Sequence, residues 1–178
     1  MTHPLRRIAV PILIACGSFG LIHAQSIPSN PPQPERVATM HVTGTFFVKL
    51  TSETLADKAA DKTLARMSID KQFHGDLEGT SKGEMLSAVT MVKGSAGYVA
   101  IERVTGTLKG RKGSFVLQHS ATMARGEPHL HIIVVPDSGT EELSGLAGTM
   151  KINVATGGQH SYDFEYTFRP LTPDQNPR

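Results

Sequence analysis

The segment "HSYDFEYTF" (160–168) alternates with a period of two. Tyr162, Phe164, Tyr166 and Phe168 fall on one face, and Ser161, Asp163, Glu165 and Thr167 on the other. Successive side chains of a strand point to opposite faces, so this pattern gives a strand with one dry side and one wet side. Runs of the same character recur: "MHVTGTFFVKL", "ARMSIDKQF", "GYVAIERVTGTL", "GSFVLQHSATM", "HLHIIVV" and "GTMKINVA". Between them lie "KGRKG", "ARGEP", "PDSG" and "ATGG", which supply turn chemistry. Seven or eight strands at short spacing predict an antiparallel sandwich or barrel. Only "SETLADKAADKTL" (52–64) has a helical composition. Lacking a strong apolar stripe and only about a dozen residues long, it is read as a surface loop with at most one helical turn.

Glycine decides between sandwich and barrel. An apolar-x-Gly-Thr unit occurs at Val42, Leu77, Val104 and Leu146, with uneven spacing that excludes a solenoid repeat. Glycine inside a strand marks a bend, a bulge or a close backbone approach. Repeated bends in several strands favour a closed barrel. In "IDKQFHGDLEGTSKGEML" the residues Gly75, Leu77, Gly79, Ser81, Gly83 and Met85 share one face of a strand. His74, Asp76, Glu78, Thr80, Lys82 and Glu84 share the other. A turn at any of these glycines would flip the parity beyond it.

The ends carry a different composition. Arg6 and Arg7, an apolar run from Ile8 to about Ile22, and Ala24 before Gln25 predict a signal peptide over 1–24, and hence export to the periplasm or beyond. Pro11 and Gly17 interrupt the run and disfavour a lasting membrane span. "LIAC", ending at Cys16, is similar to a lipobox, so a lipid anchor at Cys16 is the alternative. Residues 25–38 hold four prolines and read as a spacer; 39–169 is one domain, and 170–178 is a tail. The formal charge is +2, with acidic and basic residues interspersed. That distribution excludes a nucleic-acid surface of the usual kind.

"KQFHGDLEGTSKGEML", "GYVAIERVTGTLKGRKGSFVLQHS", "VVPDSGTEELSGLAGTM" and "YDFEYTF" closely resemble a bacterial family catalogued as domain of unknown function 3224. The resemblance covers about residues 40–168. It implies an eight-stranded antiparallel meander barrel similar to plant allene oxide cyclase and the dirigent proteins. It implies no activity, since a fold shared with an isomerase is an analogy. By the same analogy the barrel is expected to form a homo-oligomer.

Candidate chemistry is sparse. "GTSKG" around Ser81 fits the nucleophile-elbow spacing, but no helix follows, and a glycine-rich strand accounts for it. His129 and His131 share a strand face; two nitrogens do not complete a metal shell, and neither a metal nor a cofactor is expected. In "YVAIERV", Glu102 follows Tyr98 and Ala100 onto the dry face, and in "FVLQHS", His119 follows Phe115 and Leu117. A buried Glu near a buried His is either an acid/base arrangement or a structural pair that fixes register. Glu102 and His119 are therefore the candidate catalytic residues, joined by Glu78 if the glycines shift its parity. Tyr98, Glu102, His119, Phe115 and Tyr166 are the candidate ligand contacts, the row from Tyr162 to Phe168 being core or pocket wall. Three functions stay open: a binder of a small apolar or amphipathic ligand, a cofactor-free isomerase or cyclase using a barrel carboxylate, and a packed envelope module.

Overall fold

Eight strands follow one another in the computed structural model, which describes residues 38–56 and 63–169. They are β1 (Met40–Glu53), β2 (Leu64–Gly75), β3 (Leu77–Val89), β4 (Ala96–Leu108), β5 (Arg111–Ala124), β6 (Glu127–Val134), β7 (Leu146–Val154) and β8 (His160–Phe168). The expected signal peptide, Cys16, the spacer as far as residue 37 and the tail from 170 lie outside the described residues, as does the centre of the 52–64 stretch.

Each strand pairs antiparallel with the next, and β8 returns to β1, which closes an eight-stranded meander barrel. The expected turns close the hairpins. Lys109 and Gly110 have φ of 48° and 84°, and Arg125 and Gly126 have 52° and 96°. Positive φ at both central residues matches the right-handed twist of the flanking strands. The stretch read as one strand from Gly75 to Met85 is in fact two. Gly75, at φ 112°, ends β2, and Leu77 begins β3. Only glycine takes such a φ freely, and the turn around Asp76 preserves the parity: Leu77 and Ser81 are buried, while Glu78 and Lys82 are exposed. In the apolar-x-Gly-Thr units, Gly79 of β3 faces Gly106 of β4. A Cβ on Gly106 would come within 2.7 Å of Gly79 Cα, so these glycines mark a close approach of the two backbones.

Among the described residues, the inside of the barrel is filled at one end only. At the end holding the β2–β3 and β4–β5 hairpins, Leu77, Leu108, Phe115 and Phe164 are completely buried. Phe115 stacks on Phe164 with ring centroids 5.9 Å apart, and Phe164 on Tyr166 at 5.3 Å. The Tyr162 hydroxyl oxygen accepts the Leu77 backbone N–H at 2.8 Å, which ties β8 to the β2–β3 turn. A single 3₁₀ turn, Glu141–Leu143, seals this end by burying Leu143 fully. Leu143→Ala is expected to cost about 3 kcal/mol, because the rigid strands around it cannot collapse into the space. Urea unfolding followed by far-UV circular dichroism measures it.

One boundary of the barrel differs from the rest. β6 and β7 share a single paired position, Ile133 opposite Thr149, whereas β4 and β5 are paired along their whole length, from Ala96–Met123 to Leu108–Arg111.

Candidate functional site

Midway along the barrel four polar side chains face inward from four adjacent strands. Lys71 on β2 follows the parity of Ile69 and Phe73; Ser81 lies opposite it on β3. Glu102 on β4 sits between Ala100 and Val104, and His119 on β5 follows Phe115 and Leu117. These four are the buried polar or charged residues among those described, with Glu102 at 0 % exposure. Glu102 pairs across the ladder with Gly83, and a side chain there would collide with the β4 backbone.

The carboxylate of Glu102 is the hub. Its Oε1 accepts Lys71 Nζ at 2.6 Å and His119 Nε2 at 2.9 Å, and its Oε2 accepts Ser81 Oγ at 2.6 Å. Burial alone would push this carboxyl up. The His119 hydrogen bond and the Lys71 charge outweigh it and hold Glu102 at about 2, against an ordinary 4.5. Lys71 Nζ also lies 5.0 Å from the Phe46 ring centroid and 5.8 Å from that of Phe73, so aromatic faces complete its surroundings.

The tautomer of His119 follows from this arrangement. An ionised carboxylate only accepts, so Nε2 carries the proton that it donates, and Nδ1 is the remaining acceptor in the neutral ring. Among the described residues, Nδ1 has no hydrogen-bond partner. No fully buried side-chain nitrogen or oxygen there lacks one, so Nδ1 is not sealed in. It opens onto the space above.

That space is a cup of about 680 Å³ in the unfilled half of the barrel. All eight strands contribute to its wall, and the surfaces are chiefly apolar: Val48, Ile69, Met85, Ala100, Leu130 and Ile152. Lys71 and His119 form the polar part of its floor, and His160, half-buried with its ring 5.0 Å from that of Phe46, adds a second imidazole to the wall. Tyr98 lines the wall, its phenol pushed up by burial and then by the Glu102 charge. A second apolar groove of about 250 Å³ shares Met85, Tyr98, Pro128 and Leu130 with the cup and runs on across Ala121 and Met123.

The structure thus brings Glu102, His119 and Tyr98 together. It does not bring the others there. Phe115 and Tyr166 belong to the packed end, away from the cup. Glu78 projects outward, where it accepts the Gly75 N–H at 2.7 Å and approaches His74 at 3.4 Å. His129 and His131 are exposed, and no metal-binding cluster of three forms among the described residues. Lys71 is the member of this cluster that the strand patterns left unassigned; Ser81, weighed as an elbow serine, lies instead in the middle of β3. The signal was nevertheless present: in "SIDKQF", Lys71 falls on the face of Ile69 and Phe73.

A family model described as "Protein of unknown function (DUF3224)" matches residues 42–166. A solved structure of a protein with unknown function from the DUF3224 family of Shewanella oneidensis MR-1 is 54% identical. The likeness covers 75% of this chain and 100% of that one, with a TM-score of 0.72. No curated protein matches.

Proposed function

The chain belongs to the DUF3224 family, whose description carries no activity, and from the geometry of its barrel we propose that it binds a small, mainly apolar molecule in the open cup. The observation that carries this reading is the division of the interior. One end is packed with side chains, whereas the other leaves about 680 Å³ between chiefly apolar walls, with Lys71 and His119 at its floor and His160 on its side. Concave, apolar sites with a few convergent polar groups are the usual form of small-molecule sites, and this volume lies within their range. At about 30 Å³ per heavy atom it holds on the order of twenty atoms. Charge balance defines the polar end of the guest. The Lys71 ammonium is already matched by Glu102, so the floor favours a neutral carbonyl or hydroxyl group over a carboxylate. Export is part of the same proposal; it rests on the Arg6–Arg7 pair, the apolar run and Ala24.

Native mass spectrometry on protein purified gently from its own host tests both parts. The expected result is a chain beginning at Gln25 that carries a bound organic mass. Ala100→Phe, which fills the cup from its wall, is expected to abolish the adduct while the circular dichroism spectrum stays that of the wild type. A bare mass in the wild-type protein, with no uptake of added long-chain ketone or alcohol, would overturn the binding reading. A chain lipidated at Cys16 would overturn cleavage after Ala24.

A further inference from the structure

We propose that the floor of the cup transfers protons: His119 Nδ1 removes a proton from the carbon beside a ligand carbonyl, and Lys71 Nζ holds the oxygen on which negative charge develops. This rests on the binding reading and goes further, since a binding site needs no base.

The geometry separates the roles. Glu102 is unsuited to be the base, because both its oxygens already accept hydrogen bonds from Lys71, His119 and Ser81. It is a positioning residue: it fixes the His119 tautomer and stabilises the imidazolium that forms when Nδ1 takes a proton. The role that strand parity suggested for a carboxylate thus passes to the imidazole beside it. Lys71 has three N–H donors and one protein acceptor among the described residues, Glu102, so two donors remain for a ligand oxygen. Nζ and Nε2 lie within 2.9 Å of the same carboxylate oxygen, so one small carbonyl compound can address both side chains. The aliphatic wall surrounds the floor with apolar surface, which strengthens the charge interactions there.

The substrate class is an enolisable carbonyl compound whose carbon–carbon double bond lies one position out of conjugation. The C–H electron pair becomes the double bond of an enolate, and the proton moves to Nδ1. As the carbonyl re-forms, the double bond shifts and His119 returns the proton to the γ-carbon. The product is the conjugated isomer, and neither an oxidant, a reductant nor a second substrate is consumed.

Isomesityl oxide is a suitable probe, because its conversion to conjugated mesityl oxide is visible by ultraviolet absorbance. Its residence in the cup is followed separately by saturation-transfer NMR. The wild-type protein is expected to bind the probe and to isomerise it with saturation. His119→Gln is expected to keep binding and to lose about 100-fold or more in rate. Lys71→Met is expected to lose a similar factor. If the probe is bound but isomerises no faster than in buffer, or as fast with His119→Gln, the proton-transfer proposal is overturned while the binding reading stands. If the probe does not enter the wild-type cup, the proton-transfer proposal is overturned, and the native mass spectrum decides the binding reading separately. Should His119→Gln fail to fold, Lys71→Met and the cup-filling Ala100→Phe carry the same comparison.

Discussion

Replacing Glu102 with glutamine is expected to cost about 3–5 kcal/mol of folding stability at neutral pH. The amide still reaches Ser81 and one nitrogen, but it leaves the Lys71 ammonium without a counter-charge inside the barrel. The pH dependence identifies the cause. Glu102 is held at about 2 in the folded protein against an ordinary 4.5, so its contribution is complete above pH 4.5 and drains away as the pH falls toward 2. A displacement of that size corresponds to about 3 kcal/mol. The stability gap between wild type and Glu102→Gln should therefore be widest near neutrality, narrow below pH 4.5 and nearly vanish near pH 2. Urea unfolding at a series of pH values measures it. A gap independent of pH would mean that lost packing, not lost charge, destabilises the variant. Adding Lys71→Met should restore part of the loss, since the second substitution removes the stranded cation.

The second large effect concerns two glycines that look alike in the sequence and differ in space. Gly83→Ala is expected to cost about 3 kcal/mol or more, or to prevent folding. Its Cβ would meet the Ile101 carbonyl oxygen and lie 2.5 Å from Glu102 Cα, and neither backbone atom can yield without parting β3 from β4. Gly97→Ala is expected to stay within about 1 kcal/mol of wild type, because the nearest atom, the Ala121 carbonyl oxygen, would be 3.5 Å away. Thermal melts of the two variants side by side decide it. Equal melting temperatures would sink the idea that β3 and β4 are held close so that Glu102 can sit under its donors.

How much of this was legible in the sequence depends on the direction being read. Strand parity separates inside from outside, and it placed Glu102, His119 and the Tyr162–Tyr166 row on the buried face, where they lie. Parity says nothing about depth along the barrel axis. Phe115 and His119 share a face of β5, yet Phe115 stacks in the sealed end while His119 faces the cup. The stagger of the neighbouring strands sets that depth, and stagger is fixed by pairings remote in sequence, such as Gly83 with Glu102. Lys71 escaped notice because a lysine in a strand is ordinarily a solvated side chain. Its burial depends on a carboxylate thirty-one positions away.

The lone Ile133–Thr149 pairing has a consequence for the proposed binding of a small molecule. Above it, Pro128 and Leu130 of β6 and Ile152 and Val154 of β7 form adjoining parts of the cup with no ladder between them. Elsewhere the circumference is fixed by the register of its strands. On this side the two staves of the cask can part without breaking a rung. A guest would then meet a strict lock at the bottom, where hydrogen bonds set the chemistry of its head, and a loose collar at the top. On the proposed binding function, such a vessel would discriminate by functional group and tolerate variation in the length and branching of the rest.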